Sequence, residues 1–416
     1  MRPSYFVAVD LLLKSFSFLV IPIYAYVFTP AEMGLFSEWF SFYTLLFGLS
    51  FFGINSFVVV LSSKGITGSE VEPYFVRFLI KWWLLILSIL LFLQIYLPYF
   101  YLEGTFFILP IAAAAFCVID YTSIKLRLTG SIKKYFFSQV IVFLLIHLLP
   151  LAVTIGSPSA SVRIFTFTFS LLITALIMVF LFREIEFKAK RYQKGDNSSA
   201  ISSRRIREFG FPLVILAVGQ WFKSGFDLQL LKAEVGYNLA GSLGVVIQLS
   251  SAILIFSAVL NRVYSINLYK LLSKNKTQDW IVLLLKLSFG TAIVSAGLFI
   301  SILLGFEVFL TEYNHINQLA VPIIISSLIY GIACYFSFIL FYYEKSALFT
   351  GLQLVSALIH IPLSLHIVSR LGPENIGYSS LVSNSIFLIM VLGVGFKIQR
   401  EMANYDHHAI VKKNER

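Results

Sequence analysis

Charge is scarce in this chain. Only 13% of its 416 residues are Asp, Glu, Lys or Arg, while 58% are hydrophobic. A soluble domain carries roughly twice that charge, and the mean hydropathy of +0.85 excludes water as the main solvent. Cysteine is nearly absent: Cys117 and Cys334 each fall in an apolar run, which excludes a disulfide framework and gives no metal-ligand spacing. Also missing are a GxxxxGK[ST] phosphate loop, an HExxH zinc pair, a GxSxG elbow and a DxD-like acidic pair. No long connection on the outer side could house a catalytic centre. Enzymes that polymerise or ligate glycans at a bilayer gather polar residues in such a loop, so that class remains only an alternative. Neither a cofactor nor a metal is expected.

What is present is apolar runs of about 20 residues, enough for a helix to cross some 30 Å of hydrocarbon at 1.5 Å per residue. The runs predict twelve spans, near 5–27, 36–61, 78–98, 106–127, 135–156 and 162–182, then 209–231, 237–261, 281–304, 319–343, 347–368 and 376–396. Met1 to Ser4 is too short for a cleavable signal, so the first run is expected to stay as a span. Connections alternate sharply in basic content: 25 Lys and Arg fall on one side and three, Arg163, Lys232 and Arg370, on the other. Basic residues stay cytoplasmic during insertion, which predicts a multi-pass inner-membrane protein with both termini inside. This topology accounts for the net charge of +11 without a nucleic-acid partner.

The fold class expected is all-α and polytopic, with two parallel six-helix repeats around a central cavity. Ala31-Glu32-Met33-Gly34 follows the first span and Ala233-Glu234-Val235-Gly236 the seventh. Six is an even number, so the halves enter from the same face, as in parallel-repeat transporters. The expected organisation is a half over 1–182, a basic cytoplasmic linker over 183–208, a second half over 209–397 and a cytoplasmic tail over 398–416.

Ionisable groups inside spans cost about 2.5–3.5 kcal/mol each at a helix centre and mark function by default. The first span carries Asp10 and Lys14 at i, i+4, with Ser17 on the same stripe. The seventh carries Gln220, Lys223, Ser224 and Asp227, again with acid and lysine four apart. Glu38 and Ser41 mark the second span. Two readings stand: self-neutralising pairs, or a wet cavity lined by spans 1, 2, 7 and 8. Proximity at i, i+4 gains only tenths of a kcal/mol against several for desolvation, which favours the cavity. Lys14, Lys223, Ser17, Gln220, Ser224 and Glu38 are then candidate substrate contacts, and Asp10, Asp227 and Asp120 candidate ion-coupling groups. Lys81 and Lys286 read as snorkelling lysines, and His147, His360 and His366 as hydrogen-bonded interior residues. Pro22, Pro150, Pro322 and Pro362 fall within spans, where each removes a backbone hydrogen bond.

The order of these features resembles the oligosaccharide flippases of bacterial surface-polysaccharide export, within the multidrug/oligosaccharidyl-lipid/polysaccharide exporter superfamily. The residues that carry the resemblance are Thr29-Pro30-Ala31-Glu32-Met33-Gly34-Leu35-Phe36-Ser37, then Phe209-Gly210-Phe211-Pro212 with Asp227 and Val235-Gly236-Tyr237. Tyr342-Tyr343-Glu344-Lys345 and Leu371-Gly372-Pro373-Glu374-Asn375-Ile376-Gly377-Tyr378 complete it. This chain departs at Leu228, where the family often has a basic residue, and at His360, near an asparagine in the family. The resemblance implies a flippase, not an enzyme. Its cargo would be a lipid-linked oligosaccharide such as an O-antigen unit on undecaprenyl diphosphate, moved to the periplasmic leaflet with coupling to H+ or Na+. Membrane lipids and other polysaccharide-assembly proteins are its expected neighbours. A multidrug-type exporter of the same architecture is the rival.

Overall fold

The computed structural model describes residues 19–51, 80–88, 108–129, 131–182, 203–273, 277–309, 312–313, 316–343 and 345–414, together with Val9 and Leu13. Among them twelve helical elements follow one another and no strand occurs. In the first half these are α1 (19–27), α2 (Pro30–Phe51), α3 (80–88), α4 (Leu109–Leu128), α5 (Ile132–Gly156) and α6 (Ala160–Phe182). In the second they are α7 (Ser203–Val235), α8 (Tyr237–Ser273), α9 (Thr277–Phe309), α10 (Ile316–Tyr342), α11 (Ser346–Leu371) and α12 (Gly377–Asn414). Eight of the described helices are long and apolar enough to cross a membrane. The chain is an all-α polytopic membrane protein, as its hydropathy requires. Two compact units, Met1–Trp221 and Phe222–Arg416, divide it within α7.

Burial is the inverse of a soluble protein's. On α6, Phe165, Phe169, Leu172, Leu176 and Phe180 are exposed at helical spacing, whereas Arg163, Thr168, Ser170 and Thr174 are buried. Lipid rewards apolar surface as well as a core does, so inter-helix faces are left to small and polar groups that pack closely and hydrogen-bond. The hydroxyls bond backward along their own helices, as Thr174 does to Ser170 and Thr154 to Pro150. In the N-terminal unit, α2, α4 and α6 share an aromatic core. Trp39 stacks on Tyr43 at 5.6 Å, Phe167 meets both edge-on, and Phe116 packs on Phe47.

The turns explain the motifs. Thr29 accepts a bond from the Glu32 amide, the start of a capping box, and Pro30 opens α2 where a missing N–H costs nothing. The tetrapeptide Ala31–Gly34 therefore begins α2, whereas Ala233–Val235 ends α7 and Gly236 turns the chain with φ +83°. The two matches lie on opposite sides of their breaks. The tetrapeptide therefore does not mark equivalent positions in the two halves. Gly372 has φ +97°, a conformation that favours glycine, and the Asn375 amide caps the Leu371 carbonyl at 2.7 Å. Pro150 follows a π-helical turn at Leu144–Leu148, which accommodates its missing donor; Pro322 and Pro362 lie inside α10 and α11.

In the C-terminal unit α10 packs against α8, α9 and α12. A Cβ added at Gly331 would lie 2.5 Å from Ser257 Oγ and 3.3 Å from its Cβ, with the Thr291 methyl at 3.9 Å. Beside it, Thr291 and Tyr335 share a 2.6 Å hydroxyl bond. Gly331→Leu should accordingly destabilise the protein by about 1–3 kcal/mol through overpacking. Gly331→Ala, which a rotated Ser257 hydroxyl accommodates, should be milder. Melting of the detergent-purified protein checks both, and a Leu variant as stable as the wild type would refute the contact.

Candidate functional site

The pairing within α7, left by the sequence as the alternative to a cavity, does not occur. Lys223 and Asp227 are both buried on that helix, yet each reaches a different partner in the C-terminal unit. Lys223 Nζ donates to Asn384 Oδ1 at 2.7 Å and lies 5.3 Å from the Phe387 ring centre and 6.0 Å from that of Tyr330. Asn384 in turn donates through Nδ2 to Ser326 Oγ at 2.7 Å. The self-neutralising alternative does not hold for this pair: the Lys223 amine is bound by an amide and lies near two rings. The reason is reach. At i, i+4 two side chains on an exposed face meet in water, but here each meets a well-placed polar group across the helix interface first.

Asp227 anchors a second cluster. Its Oδ1 receives Ser364 Oγ at 2.7 Å and His360 Nε2 at 3.0 Å, and its Oδ2 receives Ser379 Oγ at 3.4 Å. Behind the ring, His360 Nδ1 meets Ser383 Oγ at 3.2 Å, and Ser356 Oγ donates to the Ser383 carbonyl at 2.6 Å. Asp227, His360, Ser356, Ser364, Ser379 and Ser383 are all buried. A buried carboxylate is tolerated only when its lone pairs are filled, and α11 and α12 fill them. Sequence reading placed His360 in the interior with partners, which the structure shows, but did not connect it to Asp227. The available signals were His360 and Ser364 at i, i+4 on α11, and the Ser379-Ser380, Ser383-Asn384 run on α12.

Among the other candidates, Glu38 is buried on α2, with Ser41 donating to its backbone carbonyl at 2.9 Å. Asp120 is half-buried on α4, Ser224 half-buried and Gln220 exposed on α7. Asp10, Lys14 and Ser17 lie outside the described residues. Lys81 and Lys286 are exposed, in keeping with snorkelling; His366, expected in the interior, is exposed instead, and His147 sits half-buried in the π-helical turn. No group of three or more His, Cys, Asp and Glu suited to a metal occurs among the described residues.

The C-terminal unit thus holds a buried lysine, a buried aspartate and hydroxyl-lined helix interfaces. The sequence matches no family model and no curated protein. Solved structures do match. The lipid II flippase MurJ, in an inward closed conformation, aligns over 93% of this chain and 87% of its own with a TM-score of 0.63 at 15% identity. A Vibrio cholerae MATE transporter, VcmN, aligns over 95% of this chain and 94% of its own, with a TM-score of 0.58 at 13% identity. A MOP-superfamily transporter from Pyrococcus furiosus, whose reverse binding-pocket polarity is taken to suggest a different function, covers the same shares with a TM-score of 0.61 at 12% identity. The chain has the fold of these transporters.

Proposed function

We propose that this protein is a flippase that carries lipid-linked oligosaccharide, an undecaprenyl-diphosphate-borne repeat unit of the O-antigen or capsule kind, from the cytoplasmic to the periplasmic leaflet of a bacterial inner membrane. The observation that carries the reading is Lys223, a buried ammonium held by an amide and two rings in a fold shared with a lipid II flippase. A basic group at that depth suits an anionic cargo better than a cationic one. A diphosphate with several sugars cannot cross hydrocarbon unaided, and a hydrated path with fixed positive charge offsets its transfer cost. Lys14, Ser17, Gln220, Ser224 and Glu38 are proposed to line that path with Lys223. Asp227, Asp10 and Asp120 are proposed to exchange the driving ion, and both termini to be cytoplasmic. Movement is by alternating access, in which cargo and ion shift the balance of two states through their differential affinity.

The rival reading is a multidrug-type exporter. It is favoured by the length agreement, since the alignment leaves only 6% of the Vibrio cholerae MATE transporter uncovered but 13% of the lipid II flippase, from the coverages of 94% and 87%. Proteoliposomes separate the two. The expected result is protein-dependent translocation of a fluorescent undecaprenyl-diphosphate-linked glycan and none of cationic dyes; the reverse pattern would overturn the flippase.

A further inference from the structure

One face of α11 is apolar, outward and incompletely filled. Val355, Leu358, Ile359, Pro362 and Leu363 line an open groove of about 440 Å³ there, while Gln353, Ser356, His360 and Ser364 on the opposite face are buried. Gly351 continues the groove's stripe one turn before Val355; it is exposed, and nothing around it lies within 4 Å of where a Cβ would stand. The apolar span runs from Ala347 to Leu371, so its central residue, Ile359, lies in the groove. Apolar cavities stay dry, and at the middle of a bilayer it is hydrocarbon that fills them.

Two polar side chains extend the same stripe toward the outer end of the helix. His366 follows Pro362 by four residues and Arg370 follows His366 by four, and both are exposed. Basic residues at a cytoplasmic end are ordinary, but Arg370 is one of only three on the outer side. A last-turn arginine eases the helix dipole. That accounts for its charge, and not for an imidazole and an apolar groove in line with it. An imidazole and a guanidinium one turn apart present N–H donors to phosphate oxygens at the depth of lipid headgroups.

Length decides which lipid fits. At 1.5 Å per residue, the groove begins at Leu363, about 10 Å along the helix from Arg370, ends at Val355, about 22 Å along, and opens at Gly351, about 28 Å along. One leaflet of hydrocarbon is about 15 Å deep, half of roughly 30 Å. A phospholipid acyl chain anchored at Arg370 therefore stops partway along the groove, whereas a polyprenyl chain, several times longer, fills it and continues past Gly351. We infer that this face of α11 is a docking groove for a polyprenyl diphosphate, its diphosphate held by His366 and Arg370 and its chain laid over Pro362 toward Gly351. The inference rests on the flippase reading for its purpose, which is to keep hold of the carrier's tail while the head is released at the outer leaflet, but not for its test.

The test is photo-crosslinking of the purified full chain with undecaprenyl diphosphate that carries a diazirine midway along its chain and no glycan, followed by mass spectrometry of the labelled peptides. Label is expected on residues 351–363 of α11; label confined to other helices would overturn the groove. Arg370→Gln combined with His366→Gln should lower that labelling about tenfold, the worth of one good phosphate contact. Gly351→Phe, which fills the open end without meeting a neighbour, should lower it by a similar factor. Unchanged labelling in either variant would overturn the assignment, and if one does not fold the other decides. Excess unlabelled undecaprenyl diphosphate should displace the probe. Equal displacement by phosphatidylglycerol would mean an ordinary phospholipid contact and would also overturn it. Since the probe bears no glycan, labelling as expected from a protein that flips no glycan in proteoliposomes would sink the flippase and spare the groove.

Discussion

Lys223→Ala should lower glycan export by one to two powers of ten at equal membrane abundance, and Lys223→Arg should recover part of it. In a partly hydrated path with an effective dielectric near 20, a unit charge pair at 4 Å is worth about 4 kcal/mol before desolvation is subtracted. Retaining a third to two-thirds of that gives the expected range, at about 1.4 kcal/mol per power of ten. The cost to folding is smaller. Removing the ammonium leaves Asn384 Oδ1 without this donor, a loss of about 1 kcal/mol, while its Nδ2 keeps the bond to Ser326. Arginine keeps the charge, but its planar fork does not fit where a compact ammonium sits 5.3 Å from the Phe387 ring centre. The variants are compared by surface glycan in cells, with membrane abundance measured on the same samples. Full export by Lys223→Ala would leave the lysine as a structural partner of Asn384 and remove the main support for an anionic cargo.

Hydropathy made the helices legible because lipid selects for long apolar runs, and every described helix overlaps a span read from sequence. The ends were less legible. α8 continues to Ser273 and α12 to Asn414, well past the apolar runs, because hydropathy senses hydrocarbon whereas a helix continues wherever its backbone bonds close. Site residues divide in the same way. Lys223 and Asp227 stood out since charge is expensive in a span, but their partners lie 161 and 133 residues further along the chain. Spacing on one helix carries no information about which groups another helix presents. Ser364, Ser379 and Asn384 are ordinary residues of a polar-lined interface until Asp227 or Lys223 is placed against them. The Leu371–Tyr378 motif, one of those carrying the family resemblance, turned out to be a turn device: Gly372 supplies the backbone geometry, Asn375 the cap, and Gly377 a close approach to Pro322, where a Cβ would lie 2.8 Å away.

Removing Arg163 should cost the N-terminal unit more than removing any surface charge would. The sequence counted it only among the three basic residues of the outer side, yet it is buried in the first turn of α6. The guanidinium lies 3.5 Å from the Tyr24 ring centre and 3.4 Å from that of Phe36, with Phe28 at 5.6 Å and Met33 Sδ at 3.5 Å. It joins α1, α2 and α6 where Glu32 also accepts the Ala160 amide. A desolvated cation over an aromatic face is worth about 2 kcal/mol or more, and here both faces of the plane are used. Arg163→Ala removes the stack and leaves a cavity, a combination of about 3–5 kcal/mol, which for a unit of this size lowers the melting temperature by roughly 6–12 °C or more. Arg163→Lys keeps the charge but not the plane and should fall between Ala and wild type. Arg163→Met separates packing from charge, since it fills the space without a cation. If the ring contacts outweigh the desolvation cost, Met stays less stable than Arg when melting is followed by tryptophan fluorescence. A Met variant as stable as the wild type would mean that desolvation cancels the attraction, as buried charges often do, and that Arg163 is kept for something other than stability.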